Sequence, residues 1–164
     1  MRFPADILCK YMERKIKTPC VGICSTTYGD EVCRGCKRFQ HEVIQWNSYS
    51  DQQKEIVWNR LEALKVQIMK TKFNIIDESK LKSSLDTYNI NYYSAVDPFC
   101  WVFDLFKQAS QSIKDFEEFG LKYLLEEKIS PEEIKKNLEE ELFFLSEAHY
   151  QRYFKLEELF REKP

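Results

Sequence analysis

Hydrophobic and polar positions alternate along most of this chain with the 3.6-residue period of α-helices. Two predicted helices have complete start signals. Ser50-Asp51-Gln52-Gln53 is a capping box ahead of an apolar stripe that continues to about residue 70, and Ser130-Pro131-Glu132-Glu133 opens a stripe that continues to Phe160. Asp97-Pro98 opens a further helix, which we expect to run to about Glu126. The last two helices predict a C-terminal helical hairpin.

Shorter elements fill the rest of the pattern. An amphipathic helix is expected over residues 4–16, and further short helices over 39–46 and 77–86. Residues 21–32 are typical of an irregular β-hairpin that turns at Tyr28-Gly29-Asp30. With only four glycines and five prolines, the chain is predicted to be mainly α.

Charge divides the sequence into two parts. Residues 1–72 hold 13 Lys and Arg against 8 Asp and Glu, whereas residues 73–164 hold 12 against 19. We therefore expect a four-cysteine metal- or cluster-binding module with flanking helices over 1–72 and an acidic, multi-helix domain over 73–164. The boundary would lie near residues 71–76, and whether the two parts pack as one unit is left open.

The basic part contains a compact cysteine cluster: Cys20, Cys24, Cys33 and Cys36, with the spacing C-x3-C-x8-C-x2-C. The predicted hairpin would bring Cys24 and Cys33 across from each other. Gly35 would let the second pair form a tight knuckle whose amide groups point at sulfur. Four converging thiolates suit one tetrahedral metal ion or one iron–sulfur cluster. Residues 18–48 contain too few apolar side chains to fold without such a site.

Two structural disulfides, or free thiols, are the alternatives for the same cysteines. A disulfide-stapled chain is usually short and follows a secretory leader, but Asp6 and Lys10 interrupt any apolar leader here. No apolar run approaches the length of a membrane span. A cytoplasmic, reducing location is therefore expected, and there a tight cysteine cluster favours a metal site.

The cysteine segment resembles a known family. Thr18-Pro19-Cys20-Val21-Gly22-Ile23-Cys24, then Cys33-Arg34-Gly35-Cys36-Lys37-Arg38, then Glu42-Val43-Ile44-Gln45-Trp46 and the Ser50 capping box are similar to the short bacterial YdhL-like family of unknown function. The resemblance covers residues 18–64. That family is described as a predicted Fe–S protein, so the resemblance implies a cluster, whereas compact two-cysteine knuckles favour zinc. Zinc and cluster both stay open.

Other polar residues near the cysteines have two interpretations. The cations Lys10, Arg14, Lys15, Lys17, Arg34, Lys37 and Arg38 can form a nucleic-acid surface with Tyr28 or Phe39 for stacking, or they can offset the charge of the metal site. The second interpretation is favoured. His41 can be an alternative ligand or an outer hydrogen-bond donor, but a polar residue on a short helix is the favoured interpretation. His149 is expected to be a hydrogen-bonded core histidine. Cys9 and Cys100 have no partner at ligand spacing and are expected to be small buried side chains.

No catalytic motif is present. The sequence has no phosphate-binding glycine loop, no nucleophile elbow and no HExxH zinc pair, and its two histidines leave little scope for general base catalysis. We therefore expect a non-catalytic adaptor that binds a protein partner, since opposite charges on the two parts suit oriented docking. The alternative is a redox or cluster-handling protein.

Overall fold

The computed structural model of the chain describes residues 17–155. Its fold is mainly helical, as predicted. The helices are α1 (Gln40–Ile44), α2 (Asp51–Lys72), α3 (Glu78–Thr87), α4 (Pro98–Ala109) and α5 (Pro131–Tyr150), and Gln151–Lys155 continues α5 as a π-helical turn. The predicted helix over residues 4–16 lies outside the described residues, as do Leu156 and Phe160.

Local side-chain caps start the helices where the sequence indicates. At α2, Gln53 N–H donates to the Ser50 hydroxyl and Ser50 N–H donates to the Gln53 side chain, at 3.3 and 2.9 Å. The Asp97 carboxylate accepts from Phe99 N–H at the start of α4, and the Ser130 hydroxyl accepts from Glu133 N–H at the start of α5. Each cap satisfies a backbone donor that has no partner inside its helix.

The predicted β-hairpin over residues 21–32 is wrong. Ser25–Tyr28 forms a 3-10 turn instead, in which Thr27 N–H donates to Cys24 O at 3.4 Å. Gly29 ends this turn at φ +100°, a conformation that glycine adopts without strain. Pairing occurs further along, as an isolated antiparallel bridge between Val32 and Phe39. Cys24 and Cys33 therefore do not face each other across two strands.

The helix expected from Asp97 to Glu126 is also wrong beyond Ala109. Two 3-10 turns, Ser110–Ser112 and Glu117–Phe119, and strand β2 (Leu121–Tyr123) follow α4. Strand β2 pairs antiparallel with β1 (Phe73–Ile75), and Phe73 lies opposite Tyr123. The first arm of the predicted C-terminal helical hairpin is thus short, and irregular chain separates it from α5.

The chain forms two compact units. One holds residues 17–61 and 142–155 of the described chain, and the other holds residues 62–141, so the division falls inside α2 and α5. The charge change near residues 71–76 coincides with neither boundary. Between residues 17 and 155 no helix has both the length and the apolar character required to cross a membrane.

Each unit has its own apolar core. In the unit of residues 62–141, Phe73 packs against the rings of Phe106, Phe116 and Tyr123 at centroid distances of 5.1 to 5.4 Å. In the unit that contains the cysteine cluster, the described buried side chains include Val32 packed with Phe39 and Phe143, and Trp46 packed with Val57 and Leu61.

Candidate metal centre

The second cysteine pair lies in a tight buried turn. The Val32–Phe39 bridge closes the turn, Cys33 N–H donates to Arg38 O, and Lys37 N–H donates to Cys33 O, both at 2.8 Å. Lys37 has φ +59°, in the left-handed region. Cys33 is only 1% exposed and Cys36 only 8%. The tight turn predicted for this pair is therefore present, whereas a knuckle of all four cysteines is not shown by the described residues.

Several N–H donors converge on the Cys33 sulfur. Burial alone would raise the pKa of Cys33, but hydrogen bonds from the backbone amides of Cys36, Ser25 and Gly35, together with the Cys36 thiol, lower that pKa to about 7. Such bonds favour the thiolate, which is the form that binds metals. The amides of the knuckle point at sulfur, as the position of Gly35 predicts.

The Cys36 sulfur has an arginine as its neighbour. Burial raises the pKa of Cys36, and the side chain of Arg38 opposes that rise. Arg38 Nε–H donates to Cys36 Sγ at 3.3 Å, and its guanidinium lies 4.8 Å from the centre of the Trp46 ring. The donor and the sulfur are both buried, so this charged hydrogen bond lies out of contact with bulk water.

The first cysteine pair is more open. Cys20 is exposed and accepts a hydrogen bond from Gly22 N–H at 3.4 Å, while Cys24 is half-buried and its thiol is joined to the Thr26 hydroxyl by a bond of 2.9 Å. Val21 and Ile23, between the two cysteines, are exposed, Ile23 by 81%.

The two cysteine segments lie directly against each other. A Cβ added at Gly35 would be 2.5 Å from Val21 Cγ2 and 3.3 Å from Ile23 O. Arg34 N–H donates to the Ser25 hydroxyl at 2.9 Å, and the Ser25 amide reaches the Cys33 sulfur. The residue after Cys24 is therefore in contact with the residue that begins the second pair.

The structure brings Cys33 and Cys36 together but does not gather all four predicted ligands. Within residues 17–155, no group of three or more His, Cys, Asp or Glu side chains is arranged to hold a metal ion. The donor chemistry nevertheless fits a thiophilic metal, because four cysteines lie on two adjoining segments and each sulfur has a hydrogen-bond partner. The residues that would hold the metal are Cys20, Cys24, Cys33 and Cys36.

The cations near the cysteines divide into buried and exposed sets. Lys37 and Arg38 are each 3% exposed, so neither can belong to a surface that contacts nucleic acid. Lys17 and Arg34 are exposed, and Arg34 pairs with Asp30 at 3.0 Å. Lys10, Arg14 and Lys15 lie outside the described residues.

Two further charged residues at this centre were not predicted from the sequence. Arg60, on α2, pairs with Glu42 at 2.6 Å, and its guanidinium lies 3.8 Å from the centre of the Phe39 ring. Glu42 also accepts from Phe39 N–H at 2.8 Å, which fixes the start of α1. A sequence signal exists for Arg60, since it lies three residues after Val57 on the buried stripe of α2.

The remaining candidates from the sequence differ in burial and in their neighbours. His41 is half-buried, with its ring 4.9 Å from that of Phe154. His149 is also half-buried and contacts Tyr153, so the expectation of a core histidine is wrong.

Cys100 is buried, as expected, in the unit of residues 62–141. Tyr28 is exposed, Phe39 is buried, and Cys9 lies outside the described residues.

Comparison with known proteins reaches only the cysteine-bearing part of the chain. Residues 18–65 match the family described as "Protein of unknown function (DUF1289)". This match covers almost the same residues as the resemblance noted above, and it leaves residues 66–164 without a family. The chain matches no curated protein. It matches no solved structure either.

Proposed function

We propose that residues 18–65 form a metal-binding module in which Cys20, Cys24, Cys33 and Cys36 hold one zinc ion or one iron–sulfur cluster. The observation that supports it best is the set of donors around the sulfurs, with three backbone amides at Cys33 and a buried guanidinium at Cys36. Neutral thiols are weak acceptors, whereas thiolates gain most from such donors. On this proposal, metal binding draws the exposed Cys20 and the half-buried Cys24 toward the buried pair.

We propose that the protein as a whole is a non-catalytic adaptor. It acts in a reducing, cytoplasmic compartment and binds a protein partner. Exposed apolar side chains beside the first cysteine pair, Val21, Ile23 and Tyr28, support a role in contact, since large apolar side chains in water are common at interaction sites. Because Lys37 and Arg38 are buried, a nucleic-acid partner has less support than a protein.

Metal analysis of anaerobically purified protein tests the proposal. We expect one equivalent of zinc, or iron with acid-labile sulfide, and at least a tenfold loss of bound metal in Cys33→Ser and Cys36→Ser. Cys100→Ser is the matched control, because Cys100 is also buried but lies in the other unit, and it should retain the metal. Wild-type protein without stoichiometric zinc or iron would overturn the proposal.

The redox alternative has its own measurement. An iron–sulfur centre that passes electrons must take up and release one electron reversibly while the fold stays intact. A coloured protein with a reversible one-electron wave in voltammetry would favour this alternative over the adaptor. A colourless zinc protein without such a wave would favour the adaptor.

A further inference from the structure

The buried arginines beside Cys36 are not explained by packing alone. Arg38 is 3% exposed, and its side chain donates to the Cys36 sulfur. Arg60 is also largely buried, and burial lowers its pKa, while the charges of Glu42 and Cys36 oppose this effect. Removing a guanidinium from water is costly unless nearby negative charge compensates for it.

The compensation within the described residues is incomplete. Glu42 pairs with Arg60 through Nη2, but Arg60 Nη1 is buried and has no hydrogen-bond partner among residues 17–155. An arginine donor left unpaired at a buried site is uncommon and indicates that a further acceptor belongs there. The carboxylate of Glu42 thus pairs with Arg60, while Arg38 donates to the sulfur of Cys36, a metal-ligand candidate.

A metal bound by four thiolates would supply the missing negative charge. Zinc with four cysteinates, or an oxidised cluster with four cysteinates, carries a net charge of about −2. We propose that Arg38 and Arg60 are positioning residues that stabilise this negative charge on the Cys36 side of the centre. The inference rests on the proposed metal-binding function and extends it to two residues, one of which lies on α2, away from the cysteines in sequence.

Cobalt binding by the metal-free, full-length protein under reducing, oxygen-free conditions tests the inference. Co²⁺ reports thiolate ligation through its absorption in the near ultraviolet and visible range. Because outer hydrogen-bond partners of metal ligands affect affinity by about 10- to 100-fold, we expect Arg38→Gln and Arg60→Gln each to raise the Kd for Co²⁺ by that factor. The charge-conserving Arg38→Lys should recover most of the affinity.

Arg34→Gln is the matched control. Arg34 lies between Cys33 and Cys36 in sequence, but its side chain is 66% exposed and pairs with Asp30. Solvent screening should limit the effect of its removal to about twofold.

The pH dependence of Co²⁺ release gives a second readout of the same affinity, and recovery in the charge-conserving Arg38→Lys separates the effect of charge from a purely structural effect. Protons compete with the metal for four thiolates, so weaker binding moves the midpoint of Co²⁺ release to higher pH. A 10- to 100-fold loss of affinity, shared among four protons, corresponds to an upward shift of roughly a quarter to half a pH unit. We expect this shift in both glutamine variants and none in Arg34→Gln.

The outcomes separate the inference from the proposed function. If wild-type protein gives no thiolate-to-cobalt absorption, the proposed metal site fails. If wild type binds Co²⁺ and both glutamine variants bind it with unchanged Kd and pH midpoint, the metal site stands and the inference fails. If Arg60→Gln loses helicity without metal, Arg38→Gln decides the matter, and its unchanged Kd overturns the inference.

Discussion

Gly35 is the residue at which the two cysteine segments come into contact. It needs no side chain because Val21 Cγ2 and the carbonyl oxygen of Ile23 occupy the space where a Cβ would lie. Glycine is therefore needed at position 35 because there is no space for a side chain. Gly29 differs, since no atom lies near its Cβ position and its φ of +100° is what favours glycine. Substitution at Gly35 should push the two segments apart.

We predict that Gly35→Ala lowers the free energy of unfolding of the metal-free protein by about 1–3 kcal/mol, the usual cost of overpacking. Val21→Ala removes the nearer of the two obstructing atoms. Alone it should change stability by less than about 0.5 kcal/mol, because Val21 is half exposed. Combined with Gly35→Ala, it should restore part of the loss. Denaturant unfolding measures all three variants, and a double variant no more stable than Gly35→Ala contradicts the steric explanation.

At the residue scale the sequence predicted the tight turn of the second cysteine pair but not the charged residues that surround it. The position of Gly35 between two cysteines was enough to expect amide groups directed at sulfur, since that geometry is local. Arg60 could not be assigned to the same centre, because its contact with Glu42 depends on how α2 packs against α1. The spacing pattern places Arg60 on a buried face without identifying its neighbour.

At the scale of elements, the helix starts were predicted well and one helix end was not. Capping depends on residues three positions apart, which is why Ser50, Asp97 and Ser130 could be recognised. The end of α4 depends instead on a strand pairing between residues 73–75 and 121–123. Ile113 and Phe116 continue the apolar spacing of α4, although they lie in irregular chain where Phe116 packs on Phe73.

We predict that Ser50→Ala destabilises the unit containing the cysteine cluster by about 1 kcal/mol, the typical cost of losing an N-cap. Because Ser50 caps α2, its loss should fray the start of this helix and raise amide exchange over the first two turns. Gln52→Ala, at an exposed position of the same turn, serves as control and should be neutral. Equal exchange in the two variants would exclude the capping role.

Metal removal should increase amide exchange in the cysteine segment and leave exchange in strands β1 and β2 unchanged. If the centre organises residues 18–48, chelation of the purified protein will raise amide exchange there by at least tenfold. The strands β1 and β2, in the unit of residues 62–141, should keep their protection. Hydrogen-exchange mass spectrometry distinguishes this result from global unfolding, in which both regions would lose protection together.

At the scale of the whole molecule, the unit that contains the cysteines is discontinuous in sequence. Residues 142–155 complete it: Phe143 packs with Val32 and Phe39, and the ring of Tyr150 lies 5.2 Å from that of Phe39. Charge alone predicted a division near residues 71–76, because composition cannot reveal that a late helix returns to an early segment. The second half of α5 is thus part of the support of the candidate metal centre.

We predict that Phe143→Ala lowers the stability of this unit by about 3 kcal/mol, as for other buried phenylalanines. Exchange of the Cys33 amide, which bonds to Arg38 O, should accelerate accordingly. Phe144→Ala is a close control, since Phe144 is the next residue on the same helix and is 64% exposed. Similar acceleration in both variants would mean that Phe143 does not support the knuckle.

The discontinuity also sets an order of events during synthesis on the ribosome. The cysteine segment leaves the ribosome early, but Val32 and Phe39 lack their partners until residues 142–155 have been translated. At about 5–20 residues per second, this interval lasts roughly 5–20 s. If the proposed metal site is correct, metal can reach the cysteine segment of a nascent chain during these seconds, before the last helix packs against Val32 and Phe39.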